Sequence, residues 1–151
     1  MSFRSHMDLA LAEARAAGRR GEVPVGAVIS DAQGRVLSQA GNRTRELSDP
    51  TAHAEILALR AACSALGSER LPGCTLTVTL EPCAMCAAAI AAARIARLIY
   101  GAADPKSGGV EHGARIFSHP QTHHVPEVID GISAEDAAAL LKDFFARRRD
   151  T

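Results

Sequence analysis

The amino-acid sequence predicts one α/β domain, residues 1–151, with a three-layer α/β/α fold. We expect a central mixed sheet of about five strands with helices on both faces. The chain has 151 residues, of which 47% are apolar, and this length argues for one domain with a substantial core. Segments with apolar residues at helical spacing alternate with short runs rich in β-branched residues. A strand–helix–strand pattern over residues 75–101 predicts a parallel pair with a right-handed crossover.

The first part of the sequence predicts a helix followed by a β-hairpin. Residues 5–18 combine alanine and leucine with charged residues and end in glycine, a helix stop signal. Residues 23–29 form a short run rich in β-branched side chains, and residues 31–34 have the composition of a turn. Residues 36–39 then supply the second strand of the hairpin.

The middle of the sequence predicts two helices and two strands. After a polar loop, Thr51 is the expected cap of a second helix, which ends at Gly67. Residues 75–80 predict a strand, residues 83–93 a third helix and residues 97–101 a further strand.

The last part of the sequence predicts a long loop and a final helix. Residues 102–126 are rich in glycine, proline and histidine, and we expect one short helix within them near residues 114–117. Residues 125–129 predict an edge strand. Ser133 is the expected cap of a last helix that ends in arginines.

Composition excludes several classes of protein. The longest uncharged apolar stretch, residues 83–93, would span only about 16 Å as a helix, against about 30 Å for a bilayer core. Asp8, Glu13 and Arg15 interrupt the region where a signal peptide needs an unbroken apolar run. Four cysteines are too few for a disulfide scaffold. We therefore expect a cytoplasmic protein with no membrane partner.

The charge balance is uninformative about a nucleic-acid partner. Lys and Arg total 17 and Asp and Glu total 17, so the formal net charge is zero. A large basic excess is the usual mark of non-specific phosphate binding. A balanced total does not exclude a local basic patch.

Two short motifs predict a catalytic metal site. His53-Ala54-Glu55 lies at the start of the second helix, and Pro82-Cys83-Ala84-Met85-Cys86 lies at the start of the third. One imidazole and two thiolates form a three-ligand zinc set, which is typical of catalytic sites. Residues three apart on a helix share a face, so Cys83 and Cys86 can bind one ion.

The placement of Glu55 depends on where the second helix begins. Residues two apart in the middle of a helix point in nearly opposite directions, so His53 and Glu55 share a site only in the first turn. With Thr51 as the cap, both fall in that turn. Glu55 is then placed beside the metal as an acid–base group.

Two alternatives use the same cysteine pair. A structural zinc site would need a fourth protein ligand, and a thioredoxin-like redox pair would leave His53 and Glu55 without a role. The spare ligands available for a structural site are Cys63, Cys74, His112, His119, His123 and His124.

With these motifs, the sequence resembles the zinc-dependent nucleobase deaminases, and among them the branch that acts on adenosine in bacterial tRNA. The resemblance extends from EVPVGAV through DPTAHAEILALR and TLTVTLEPCAMCAAAI to LLKDFFARRR. It implies a cytidine-deaminase-like fold and one zinc ion per subunit. It also implies His53, Cys83 and Cys86 as zinc ligands and Glu55 as the catalytic proton shuttle. Asn42 is implied as a substrate-binding residue that hydrogen-bonds the purine.

The same resemblance implies contacts with RNA. Asp104 and Lys106 match a loop that meets RNA around the target base, and Phe144, Phe145 and residues 147–149, with Arg148 among them, match a helix that closes over an anticodon loop. Each of these residues also has a purely structural interpretation, as a turn, core or solvated residue. Phe144 and Phe145 cannot both face one way, so we expect one in the core and one available for stacking. Residues 110–124 depart from the family pattern.

The resemblance implies hydrolytic deamination of adenosine to inosine by zinc-activated water at the wobble position of a tRNA anticodon, with an arginine tRNA as the expected substrate. It further implies a homodimer, for which the alanine-rich helix at residues 83–93 is a candidate interface. One alternative is a deaminase of free guanine or cytosine compounds with the same zinc site. Another is a catalytically silent, zinc-stabilised RNA-binding module.

Overall fold

The computed structural model describes the backbone of residues 3–149 and the side chains of residues 5–148. The predicted order of helices and strands is confirmed. Four α-helices, five strands and one short 3₁₀ helix occur in these residues: α1 Phe3–Arg19, β1 Gly26–Ser30, β2 Val36–Gly41, α2 Ala54–Leu66, β3 Thr75–Leu80, α3 Ala84–Ala92, β4 Arg97–Ala102, the 3₁₀ helix Ile116–Ser118, β5 Glu127–Ile129 and α4 Ala134–Arg149.

The strands form one mixed sheet in the order β2-β1-β3-β4-β5. Strand β1 pairs antiparallel with both β2 and β3, while β3, β4 and β5 run parallel. The predicted hairpin, the parallel crossover around α3 and the edge position of β5 are therefore confirmed. In the β3–β4 pair, Thr75 lies opposite Arg97 and Leu80 opposite Ala102.

The helices cover both faces of the sheet, as predicted. Alternation along β1 shows this: Ala27 and Ile29 belong to one buried cluster, with α2 and α3, whereas Val28 belongs to the other, with α1 and α4. On the second face, α1 lies so close to β1 that a Cβ atom at Gly26 would collide with the Ala10 carbonyl. Glycine, which has no Cβ atom, permits this close approach. Within the described part of the chain, no helix is long and apolar enough to cross a membrane.

The prediction of Thr51 as the cap of the second helix is wrong. Helix α2 begins at Ala54 with His53 as its N-cap residue. The Thr51 amide and hydroxyl both donate to Asp49 Oδ1, at 2.8 and 2.7 Å, which closes a turn ahead of the helix. The first amide of the helix instead donates to the side chain of Asn42, which lies far away in sequence. The observed N-cap thus lies two residues after the predicted one.

Candidate active site and metal centre

The N-termini of α2 and α3 bring three potential metal ligands together. His53 is the N-cap residue of α2 and Cys83 that of α3, and both have extended backbone. His53 Nδ1 lies 3.6 Å from Cys83 Sγ and 3.5 Å from Cys86 Sγ. These three residues form the one such group found among the described residues, with all ligand atoms within 4.8 Å of one another.

The spacing of these atoms fits zinc. Zn–S bonds of about 2.3 Å and Zn–N bonds of about 2.0–2.1 Å, meeting at the tetrahedral angle, place nitrogen and sulfur roughly 3.5–3.6 Å apart. The two nitrogen–sulfur distances, 3.6 and 3.5 Å, match this value. The donor set of one imidazole and two thiols is also one that zinc prefers. His53, Cys83 and Cys86 would therefore hold the ion.

A closed structural zinc site is not supported, because no fourth side chain joins this group within the described residues. Among the spare ligands, Cys63 and Cys74 are free thiols outside the group. His112 Nδ1 lies 2.8 Å from Glu81 Oε1, and His124 Nε2 lies 2.7 Å from the Ile95 carbonyl. The three-ligand set is that of a catalytic centre.

The two cysteines share a proton unequally. A hydrogen bond from the Cys86 thiol, followed by one from His53, lowers the pKa of Cys83 to about 4 despite burial. The Cys83 thiolate and burial together raise the pKa of Cys86. The hydrogen bond with Cys83 is also the main reason that the pKa of His53 is raised. Thiolates are the form of cysteine that binds a metal, so a dication that binds both sulfurs displaces the thiol proton.

Glu55 lies in the first turn of α2 and is 4% exposed. Burial raises the pKa of its carboxyl group to about 7, although a hydrogen bond with Cys86 and the nearby His53 act in the opposite direction. The structure places Glu55 within electrostatic reach of His53, although with His53 and not Thr51 as the N-cap residue. His53 has extended backbone and lies just ahead of the helical turn that contains Glu55.

Asn42 follows β2 and is held at both ends of its amide. Its Nδ2 donates to the Val23 carbonyl at 3.1 Å, and its Oδ1 accepts from the Ala54 amide at 2.8 Å. These partners fix which end of the amide is nitrogen. Nδ2 carries two hydrogens, so one donor is left for a further acceptor. The candidate purine contact thus directly caps the helix that begins beside a metal ligand.

The other four predicted substrate residues line one groove of about 750 Å³. Val23 and Leu80 form part of its wall, and these residues connect it to the metal site: Val23 binds Asn42, and Leu80 ends the strand before Cys83. We call it the aromatic groove. The predicted residues that line it are Asp104, Lys106, Phe145 and Arg148.

The two phenylalanines differ from expectation in one respect. Phe145 is 45% exposed and lines the aromatic groove, as expected of a stacking residue. Phe144 is half-buried and lies outside both core clusters, so the expectation that one ring belongs to the core is wrong. The Phe144 ring instead packs edge-on against Phe145, with centroids 5.4 Å apart, and under the Arg148 guanidinium at 4.7 Å. The side chain of Arg149 lies outside the described residues.

Sequence reasoning missed the role of two buried carboxylates. Glu81, which immediately precedes Pro82 and Cys83, accepts hydrogen bonds from the backbone of the loop that contains Asp104. Glu22 accepts from the amides of Arg45 and Glu46, at 3.1 and 2.8 Å, in the loop that leads to His53. An acidic residue directly beside an apolar strand was the available signal.

Fold and site define a zinc-dependent deaminase. The family model of the cytidine and deoxycytidylate deaminase zinc-binding region matches residues 2–102, and the chain belongs to this family. The matched stretch contains His53, Glu55, Cys83 and Cys86. The protein is therefore an enzyme that removes an amino group from its substrate by hydrolysis, and it binds one zinc ion per subunit.

The chain is also similar to individual proteins of known name or structure. The chain is 59% identical to the tRNA-specific adenosine deaminase of Agrobacterium fabrum, over 99% of this chain and 98% of the relative. A solved structure from studies of A-to-I editing by tRNA:A34 deaminases is 60% identical, with a TM-score of 0.89, covering 91% of this chain and 99% of the other. The guanine deaminase of Bacillus subtilis is 36% identical with a TM-score of 0.66, over 68% of this chain and 66% of the other.

Proposed function

We propose that the protein converts adenosine to inosine at the wobble position of a tRNA anticodon, with an arginine tRNA as substrate, in the cytoplasm. The observation that carries the proposal is the aromatic groove, where the exposed Phe145 ring lies together with Lys106 and Arg148. Its wall includes Val23, whose carbonyl binds Asn42. A free base needs no such surface. The similarity to the Agrobacterium fabrum enzyme supports the same conclusion.

The residues of the site have separate tasks in this reaction. Zinc, when bound, supplies Lewis-acid activation of water at neutral pH. Glu55 accepts the proton of the attacking water and delivers it to the purine ring nitrogen as the oxygen adds to carbon 6. Glu55 then takes the remaining proton from the oxygen on carbon 6 and passes it to the amino group. The carbon–oxygen double bond forms as the bond between carbon 6 and this nitrogen breaks, and ammonia leaves. Burial raises the pKa of the Glu55 carboxyl group, which favours its use as a group that both takes and gives protons.

Substrate binding is assigned to the remaining candidates. The free hydrogen of Asn42 Nδ2 donates to an acceptor nitrogen of the purine. Phe145 stacks on an unpaired base, and Lys106 and Arg148 contact phosphates. Asp104 orders its own loop, since its Oδ1 accepts from the Ser107 amide at 3.0 Å. Anticodon bases are already unpaired, which lowers the cost of drawing one into the site.

The test uses purified, zinc-loaded protein and an arginine tRNA with adenosine at the wobble position. Reverse transcription and sequencing should show guanosine at that position after incubation. Glu55→Gln is the matched control, which should retain zinc and leave the adenosine unchanged. An unchanged adenosine with the native protein, together with ammonia released from free guanine or cytosine compounds, would establish the free-base alternative.

The free-base alternative is favoured by one observation, the similarity to a guanine deaminase. Phe145→Ala and Arg148→Ala distinguish the two functions, because a free-base enzyme has no use for these side chains. Activity on tRNA should fall in both variants, while activity on a free base would be unaffected. The silent RNA-binding module predicts no turnover in any variant, including the native chain.

A homodimer through α3 is part of the proposal. The outward face of α3 is apolar and exposed at Met85, Ala88 and Ala92. Such a face favours burial against a second protein surface. Ala88→Glu should therefore reduce the mass measured by light scattering from dimer to monomer. A native chain that is monomeric at all concentrations would contradict this part of the proposal.

A further inference from the structure

A second groove lies between α1 and α4 and is lined by arginine. Arg15 and Arg19 come from α1, and Arg147 and Arg148 come from α4. The groove has a volume of about 510 Å³, and Asp143 is its one acidic lining residue. Four positive and one negative side chain leave an excess of three positive charges at this place. We call it the arginine groove.

Three of these arginines have no partner among the described residues. The side chains of Arg15, Arg19 and Arg147 are exposed and make no ion pair or hydrogen bond with the part of the chain that the structure describes. Elsewhere, the exposed Arg35 and the half-buried Arg43 bind carboxylates. The charge in the arginine groove is therefore available to an external anion.

Although the total formal charge is zero, acidic and basic side chains lie at opposite ends of the α1–α4 pair. The opposite end of the same pair carries Asp8, Glu135 and Asp136, which line a separate hollow. Acidic side chains thus collect at the start of α4 and basic ones at its end. The basic end is the one that adjoins the aromatic groove.

Arg148 joins the two grooves, because it lines both. Its guanidinium lies over Phe144 and donates to the Gly21 carbonyl at 2.6 Å, which holds it between α4 and the turn after α1. A polymer that extends from the aromatic groove past Arg148 would therefore enter the arginine groove, where Arg15 and Arg19 lie. A free nucleobase is too small to reach them.

We propose that the arginine groove binds the sugar–phosphate backbone of the RNA substrate, beyond the nucleotides that enter the aromatic groove. This rests on the proposed function. Arginine is the side chain best suited to phosphate oxygens. The described lining of the groove is arginine-rich, and contacts with phosphate carry no sequence information. The arginine groove therefore contributes affinity and orientation, while the site beside the metal selects the base.

The test compares Arg15→Gln/Arg19→Gln with Arg70→Gln, an exposed arginine outside both grooves. Direct binding of tRNA is measured by fluorescence anisotropy at several salt concentrations. The double variant should weaken binding about 10-fold or more at 0.1 M salt, and the log–log salt slope should decrease by roughly 1.4–1.8. Arg70→Gln should bind as the native chain does, and Arg15→Lys/Arg19→Lys should retain most of the slope.

Kinetics provide the second measurement. KM for tRNA should rise in the double variant at unchanged kcat, because neither arginine touches the reacting atoms. Unchanged affinity and salt slope would overturn the inference even if tRNA is deaminated. Arginine-dependent binding without deamination would instead contradict the proposed function and leave the groove assignment standing.

Discussion

Replacement of Glu81 tests how the loop at residues 104–112 is attached to the strand that precedes Cys83. The Glu81 side chain is fully buried. Its Oε1 accepts from the Asp104 amide at 3.0 Å and lies 2.8 Å from His112 Nδ1. Its Oε2 accepts from the amides of Val110, Glu111 and His112, at 3.1, 2.9 and 3.1 Å. One carboxylate therefore holds residues 104–112 against the end of β3.

The expected cost follows from these contacts. In Glu81→Gln, the amide oxygen can serve the three amides at residues 110–112, and the new NH₂ group then faces the Asp104 amide, which loses its acceptor. A lost hydrogen bond to a charged group costs about 1.5–3 kcal/mol. We expect the free energy of unfolding to fall by about 3 kcal/mol. Glu81→Ala, which removes all five contacts, should cost on the order of 4–5 kcal/mol.

Chemical denaturation of zinc-loaded protein measures this change. Glu127→Gln is the matched control, because Glu127 pairs with Arg97 at an exposed position, and it should cost less than about 1 kcal/mol. Zinc content should remain at one ion per subunit, since His53, Cys83 and Cys86 are unchanged. A loss below about 0.5 kcal/mol in Glu81→Gln would refute the role assigned to the carboxylate.

Three further substitutions test other contacts. Glu55→Gln should retain zinc and lower kcat by about 10²–10⁴; steady-state rates with metal analysis check this, and loss of zinc would contradict it. Asn42→Ala removes the contacts with Val23 and Ala54 and should lower the free energy of unfolding by about 1–3 kcal/mol in urea denaturation. Burial acts to raise the pKa of Glu22, but amide hydrogen bonds outweigh it and hold the pKa below its ordinary value of 4.5. The stability that Glu22 contributes is present above pH 4.5 and is lost as the pH falls through the lowered value. The native chain should therefore exceed Glu22→Gln in stability at pH 7 and lose this advantage in acid; a constant difference would count against the assignment.

Local pattern was sufficient for most of the fold. β-branched alternation located β3 at the residues where the structure has it, and the strand–helix–strand order predicted the parallel pairing of β3 and β4. The start of α2 was placed wrongly because its cap is not local. Ala54 is capped by Asn42, whose partner is 12 residues away in sequence. No pattern in adjacent residues contains that information.

The sequence likewise predicts some features of the site but not those that depend on contacts between distant residues. The metal trio was predictable because the chemistry of zinc restricts both ligand type and spacing, and each motif lies at one helix end. The attachment of Asp104 to Glu81 was not, since the two are 23 residues apart. The arginine groove was equally hidden, because Arg15 and Arg147 meet only through the packing of α1 beside α4.

The double hydrogen bonding of Asn42 limits how this enzyme can change during evolution. With the proposed contact between Asn42 and the purine, a substitution that alters base recognition there also removes the acceptor that caps α2, next to His53. Variation in the preferred base would then arise at other residues, such as Val23 and Lys106, which line the aromatic groove. Related enzymes that act on different bases should therefore differ at the positions of Val23 and Lys106 before they differ at the position of Asn42.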